Sequence, residues 1–392
     1  MTYEWNHSTI NDVCVLVTDG SHSSPKSVND GKYMVSVKDF TDYGFDFASC
    51  RMISNDDYET LKRNGCVPQI DDILIGKDGA RFFEDIIIYR QREKPALLSS
   101  IAILRCDKSK ILPDFLYYVL RTPSFRQDVK DNYGSGSAIP RIILKDFKRM
   151  MVSYPSLEKQ QAIISVLTAI DSKIQANTEI NDNLQQQAAA LFSSLYDQSN
   201  TEVRFTDLIQ ILGGGTPKTS ENTYWNGNIA FFTPKDVGAP YTLITEKTIT
   251  EEGLSHCNSR LYPVNTVFVT ARGTVGKVGM SGVPMAMNQS CYALVGKEAH
   301  QLLVYFYTLK AVDRLKHKAS GAVFDAITTR DFESEQIMKL SDDDAKAFLC
   351  IAEPMFQKIL NNSIENQRLS TLRDSLLPKL MSGEIDVSAV LL

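Results

Sequence analysis

Two stretches of the chain place apolar side chains at alternating steps of four and three. In the first the stripe is Ile163, Leu167, Ile170, Ile174, Asn177, Asn181, Leu184, Ala188, Leu191 and Leu195. In the second it is Phe348, Ala352, Met355, Ile359, Asn362, Asn366, Leu369, Arg373, Leu376 and Leu380. That spacing keeps one helix face against a partner through several heptads, so it predicts two long helices that pair as a coiled coil. The first is expected over 156–196, with Ser156 as N-cap and Gln198-Ser199-Asn200 as its end. The second is expected from Ser341, with Asp342-Asp343-Asp344 on the positive end of its dipole and Gly383 as its stop. Pro354 and Pro378 are expected to kink it. Forty helical residues make a rod of about 60 Å. Antiparallel pairing would send the flanking modules to opposite ends, and parallel pairing would set them side by side. Asn177, Asn181, Asn362 and Asn366 are assigned to coiled-coil register, because an unpartnered amide in a seam is penalised.

Outside these helices the pattern changes to short apolar runs between glycine turns. Strands are predicted at Tyr33–Val37, Asp72–Ile75, Ile86–Tyr89 and Ile101–Leu104, then at Ile229–Thr233, Thr266–Thr270 and Cys291–Leu294. One helical pattern follows each set, Phe115–Arg121 and Leu302–Ala311. The expected class is α+β, with two mixed α/β modules separated by two long helices. The boundaries drawn are 1–155, 156–200, 201–340 and 341–392.

The two halves are copies of one another. Residues 135–195 fall on 320–380 without a gap: Ser135-Gly136 meets Ser320-Gly321, Asp146-Phe147 meets Asp331-Phe332, and Asn177 meets Asn362. Upstream, Asp12 matches Asp207, Lys38-Asp39 matches Lys235-Asp236, Gly79 matches Gly273 and Ser100 matches Ser290. A period this long is a duplicated domain with its helix, not a solenoid repeat.

Composition narrows the chemistry. Of the 392 residues, the seven cysteines (Cys14, Cys50, Cys66, Cys106, Cys257, Cys291, Cys350) include no Cys-x-x-Cys pair. His7, His22, His256, His300 and His317 show no ligand spacing, so neither zinc nor a disulfide framework is expected. There is no apolar run of membrane length, and Met1-Thr2-Tyr3-Glu4 lacks a basic leader, which points to a cytoplasmic protein. The net charge of −5 resides in the helices, while the modules are near neutral. A basic cleft depends on arrangement and not on that sum. Phosphate-loop, nucleophile-elbow and methyltransferase motifs are missing. Asp114, Asp128 and Lys130 resemble a nuclease set, but the second copy holds no equivalent.

The stronger candidates are two glycine loops after strands, Ile75-Gly76-Lys77-Asp78-Gly79-Ala80-Arg81 and Thr270-Ala271-Arg272-Gly273-Thr274-Val275-Gly276-Lys277. Glycines let a backbone approach phosphate, and Lys77, Arg81, Arg272 and Lys277 could reach phosphate or a guanine edge. Lys38 and Lys235 belong either to the same role or to surface pairs with Asp39 and Asp236. Lys218 beside Tyr224-Trp225 joins a cation to aromatic faces, in a contact with DNA or in a core. Gly213-Gly214-Gly215 reads as a flexible turn.

With these residues in view, the whole chain resembles the specificity subunit of a bacterial type I restriction-modification system. The strings that carry the resemblance are Gly-Gly-Gly-Thr-Pro-Lys at 213–218, Thr-Pro-Lys-Asp-Val at 233–237, and Arg-Gly-Thr-Val-Gly-Lys-Val-Gly at 272–279 with Asn288-Gln289-Ser290. They continue with Leu-Leu-Pro-Lys-Leu-Met-Ser-Gly-Glu-Ile at 376–385 and Pro155-Ser156-Leu157-Glu158-Lys159-Gln160-Gln161. The first half departs: Asp19-Gly20-Ser21-His22-Ser23-Ser24-Pro25 replaces the glycine-threonine-proline string, and Asp78 stands where Arg272 stands. Ser341-Asp342-Asp343-Asp344 replaces the usual entry to the second helix.

The resemblance implies a non-catalytic subunit whose two target-recognition domains read the halves of an interrupted, asymmetric target in double-stranded DNA. It implies an antiparallel coiled coil that docks two modification subunits carrying S-adenosylmethionine. Restriction subunits using ATP and magnesium would join that core, and this chain itself would hold no cofactor and no metal. Two other readings stand beside it: a coiled-coil interaction protein with two ligand-binding domains, and a nuclease built on Asp114, Asp128 and Lys130. Steep salt dependence of binding separates DNA from carbohydrate, and Asp128→Asn in a nicking assay tests the nuclease.

Overall fold

In the computed structural model of the chain, residues 5–134, 141–238, 240–318 and 326–387 are described. The matching steps Ser135-Gly136 and Ser320-Gly321 lie outside them. The chain forms two compact units, one of residues 1–172 with 370–392 and the other of residues 173–369.

Unit 1 begins with a ribbon in which Asn6–Thr9 pairs antiparallel with Met151–Tyr154. Its main sheet has four strands in the order Cys14–Asp19, Ile101–Cys106, Ile73–Gly76, Ile86–Ile88, all antiparallel. A smaller sheet centres on Lys32–Val35, with Arg51–Ile53 antiparallel and Ala96–Leu97 parallel. The helix Pro113–Arg121, started by a proline whose missing N–H needs no partner there, packs Phe115, Leu116 and Val119 onto the main sheet's core.

Unit 2 repeats each part. Thr201–Arg204 pairs with Gln336–Lys339. The main sheet runs Ile209–Gly213, Cys291–Gly296, Val267–Thr270, Val278–Ser281, with a short added strand Tyr241–Thr242. The smaller sheet centres on Trp225–Phe232, between Lys247–Ile249 and a parallel Met285–Met287. Its longer helix, Gln301–Lys318, buries Leu302, Phe306 and Val312. The class is therefore α+β, as the alternation of strands and turns predicted, and the duplication extends to strand order.

The long helices are continuous from Leu157 to Gln198 and from Asp342 to Ser382. Ser341 caps the second, its Oγ accepting from the Asp344 N–H at 3.1 Å. Gly383 ends it with φ +76°, a left-handed conformation that glycine adopts without steric cost. The helix continues through both Pro354 and Pro378, so neither proline ends it. At the start of the first helix the buried Gln160 does the anchoring: its amide donates to Pro155 O (3.0 Å) and Lys110 O (2.9 Å) and accepts from the Leu112 N–H (2.8 Å).

Within unit 2 the helices run antiparallel. Asn177 Nδ2 donates to Asn366 Oδ1 at 2.9 Å, and Asn362 Nδ2 to Asn181 Oδ1 at 2.8 Å. Asn177 also donates to Glu365 (2.8 Å), which with Lys173 holds that carboxyl below its ordinary range. Unit 1 shows the same sense: Arg373 Nη1 donates to Asp171 Oδ1 at 2.8 Å. The heptad stripe underestimates what the first helix buries. Phe192 and Tyr196, each one residue beyond a seam leucine, join Phe306, Tyr307 and Phe348, with Phe192–Phe306 and Phe192–Phe348 centroids 5.0 and 5.5 Å apart. The helix thus packs both on its partner and on the module beside it.

Candidate nucleic-acid interface

In unit 2 the strand Val267–Thr270 runs into a tightly closed turn. Buried Thr270 organises it: its N–H donates to Lys277 O (3.0 Å), its carbonyl accepts from Gly276 (2.8 Å), and its hydroxyl accepts from the Lys277 N–H (2.9 Å) while donating to Thr274 O. Gly273 and Gly276 take φ of +81° and +73°, which side chains with a Cβ resist. A Cβ on Gly276 would also lie 2.6 Å from Lys316 Cε. Ala271 is held on both sides, its N–H on Ser290 O (2.8 Å) and its carbonyl under the Ile327 N–H (2.9 Å). Arg272 and Lys277 therefore project, exposed, from a fixed backbone. Among the described residues neither enters an ion pair.

A second turn adjoins it. Asp236 accepts from the Thr233 N–H (2.8 Å) and hydroxyl (2.6 Å) and from the Glu246 N–H (2.7 Å). Its carboxylate is thereby occupied, and Lys235 makes no pair with it. Lys235 is 80% exposed and lies 3.5 Å from a half-exposed Glu246, a contact worth little in water. The Thr274 hydroxyl donates to Pro234 O at 3.2 Å, tying the Lys235 turn to the Arg272 turn.

Unit 1 builds the same two turns with different side chains. Asp39 accepts from the Ser36 N–H (2.7 Å) and hydroxyl (3.0 Å), so Lys38, like Lys235, is left exposed instead of paired with its neighbouring aspartate. Lys77 takes the place of Ala271, with its N–H on Ser100 O (2.9 Å) and its carbonyl under the Ile142 N–H (3.0 Å). Its side chain is a correction to the sequence reading. Only 7% of Lys77 is exposed, and its ammonium lies 3.3 Å from buried Asp19 and 3.8 Å from Asp78. That is an internal ion pair, costly to open, and not a cation free for a ligand. Arg81 is 72% exposed and paired with Asp85 at 2.7 Å, a carboxylate that raises the guanidinium pKa. Lys38, Asp78 and Arg81 line one open concavity of about 420 Å³.

The aromatic candidate is rearranged. Trp225 packs edge-on against Phe231 at 5.5 Å, and the cation over its ring is Lys247 (5.6 Å), not Lys218. Lys218 contributes its carbonyl to the Trp225 indole N–H at 3.3 Å and leaves its ammonium exposed. Two glycines of the triple, Gly214 and Gly215, are packed against backbone, and Gly213 faces open space. A Cβ on Gly214 would sit 2.3 Å from Asn288 O, and one on Gly215 would sit 2.6 Å from the Asn258 nitrogen. These glycines admit close backbone approach, and the Thr216 hydroxyl then bonds the Gln289 side chain.

The nuclease set does not assemble. Asp114 pairs with Arg90 at 2.7 Å, Asp128 accepts from Asn132 at 2.7 Å, and Lys130 faces Glu84 at 3.7 Å. Among the described residues no group of three or more His, Cys, Asp or Glu side chains could hold a metal ion, and no helix is long and apolar enough to cross a membrane.

The family described as type I restriction modification DNA specificity domain matches residues 3–186 and again 198–341. The chain belongs to this family. Among curated relatives, the type I restriction enzyme HindI specificity subunit of Haemophilus influenzae is 24% identical over 368 residues, covering 72% of this chain and 80% of that protein. The MjaIX specificity subunit of Methanocaldococcus jannaschii is 24% identical over 307 residues, covering 71% of each. A solved structure of a type I restriction-modification S subunit from M. genitalium shares the fold, with TM-score 0.59 at 16% identity and coverage of 97% and 96%.

As a type I specificity subunit, the chain has one cation near its second-module turns that sequence reasoning missed. Lys316, on the helix Gln301–Lys318, reaches Gly276 from far along the chain. Its only local signal is the run of basic residues Lys316-His317-Lys318 at a helix end, a pattern equally suited to a helix dipole.

Proposed function

We propose that this specificity subunit reads a bipartite, asymmetric target in double-stranded DNA, one half-site per module, and does no chemistry itself. The observation that carries this reading is the repeated pairing of turns. In each module an aspartate closes a Ser/Thr-x-Lys-Asp turn and leaves its lysine exposed, beside a glycine turn that presents arginine. Rigid backbone with exposed cations suits phosphate contact for position and base-edge contact for sequence. The contact set is Lys38 and Arg81 in the first module and Lys218, Lys235, Arg272 and Lys277 in the second, with Lys316 added and the buried Lys77 removed.

The antiparallel long helices would dock two modification subunits, which bind S-adenosylmethionine and methylate adenine. Restriction subunits that use ATP and magnesium would complete the assembly. The test is adenine methylation of duplex DNA by the purified chain with and without its modification subunit. Methylation only in the combined sample is expected, with binding that weakens steeply with salt. Methyl transfer or nicking by the chain alone would refute the non-catalytic reading.

A further inference from the structure

The two glycine turns differ in where their arginine sits. In unit 2 Arg272 stands opposite Ala326 in an isolated antiparallel bridge, and in unit 1 the bridge at the same place joins Asp78 to Arg141. The correspondence rests on structure as well as duplication. The Ile142 N–H bonds Lys77 O at 3.0 Å, as the Ile327 N–H bonds Ala271 O at 2.9 Å, and Lys77 and Ala271 are both tied to a serine carbonyl on the opposite side. Each module thus carries one arginine at this bridge, on opposite strands.

Residues directly opposed in an antiparallel pair lie about 5 Å apart and point to the same face. Moving an arginine across the bridge therefore shifts its origin by less than the length of its side chain. We infer that Arg141 is the base-reading residue of the first recognition domain, taking from the facing strand the part that Arg272 plays in the second. This rests on the DNA-reading function proposed above. Arg141 is exposed, and Asp78, its partner across the bridge, brings a carboxylate to the same place, 3.8 Å from the buried Lys77 ammonium. A phosphate would be repelled there. A guanine edge, with two acceptors for the arginine fork and a paired cytosine amine that donates to a carboxylate, would not.

The experiment selects bound duplexes from a random-sequence DNA pool with the full chain, in the complex isolated from its host, and sequences them. Wild type is expected to enrich two half-sites. Arg141→Ala should make one position of one half-site degenerate and lower affinity for the original site about ten-fold or more, while the other half-site, an internal control for folding, stays intact. Arg272→Ala should do the reverse. The double variant Asp78→Arg with Arg141→Ala rebuilds the second module's arrangement and should regain a guanine preference at that position. An unchanged half-site with Arg141→Ala, or a loss spread equally over all sequences, would overturn the inference. Failure of the wild type to enrich any sequence would instead overturn the DNA-reading function itself.

Discussion

Unit 1 and unit 2 solve the same packing problem, a long helix against its partner and against a module helix, with opposite chemistry. In unit 1 Asp171 accepts from Arg373 at 2.8 Å and from the Tyr118 hydroxyl at 2.7 Å, with the two charged side chains only 19% and 18% exposed. The gapless alignment of the copies puts Phe356 where Asp171 stands and Ala188 where Arg373 stands. In unit 2 these are fully buried among aromatics, with Tyr305 and Phe306 centroids 5.7 and 5.5 Å from Phe356. Burial and then Asp171 push the Tyr118 phenol up. Asp171 and Asp374 outweigh burial and hold Arg373 charged. The difference teaches that the duplicated scaffold accepts either solution for stability, because a buried ion pair is roughly replaceable by apolar packing. The ionic version adds discrimination: Asp171 is satisfied only opposite a cation, so pairing of the first helix with a second copy of itself would set it against Ala188.

The largest expected effects come from breaking one side of either solution. Phe356→Ala should cost about 3–5 kcal/mol through the cavity it leaves, and Asp171→Ala, which leaves Arg373 with Asp374 alone and the Tyr118 hydroxyl without its acceptor, should cost about 1–3 kcal/mol. Denaturant unfolding measures both. The comparison is sharpened by Asp171→Phe with Arg373→Ala, which copies unit 2 into unit 1 and should be close to neutral. A double variant as unstable as Asp171→Ala alone would show that the two sites are not interchangeable.

At the proposed DNA face, Arg272→Ala should weaken specific binding by about 1–3 kcal/mol and relax one target position, whereas Lys235→Ala should weaken all sequences alike and reduce the salt slope by about 1. Identical behaviour of the two variants in titrations at several salt concentrations would erase the distinction between the turns. The seam asparagines come next. Asn362→Leu leaves Asn181 with an unmet amide and should cost about 1–3 kcal/mol, and adding Asn181→Leu should recover most of it. A melt in which the pair of changes is additive would argue against their coupling.

Tyr118 and Tyr305 are both raised, in each case chiefly by burial, Tyr305 to about 12. A raised folded pKa means stability present below the unfolded value of about 10 and lost as pH rises through the folded one. Alkaline unfolding should therefore affect both units, with phenolate absorbance appearing as they open. The smallest effect belongs to Glu246→Gln. Its exposed contact with Lys235 should be worth under about 0.5 kcal/mol, and a larger shift in a thermal melt would mean that the lysine is held and not free.

The long helices, their asparagine register positions and the duplicated strands with their glycine turns were legible because they are written in periodicity and local backbone demand, which neighbours in sequence impose. Ser341 and Gly383 could be assigned as cap and stop for the same reason. The fate of the cations was not local. Lys77 and Arg272 sit in matching loops, yet Lys77 is buried because the strand Cys14–Asp19 delivers Asp19 to it, and Lys247, not Lys218, covers Trp225 because the strand Lys247–Ile249 pairs beside it. Gly214 and Gly215 look like flexible punctuation until the Asn288 and Asn258 backbones are seen against them. Arg141 is separated from Asp78 by much of the first module and becomes its neighbour only through the bridge that the sheet order creates. Propensity and period act over a few residues, so the sequence by itself determined the elements. Which charge meets which depends on strand order and turn closure, and that was decided only when the chain folded.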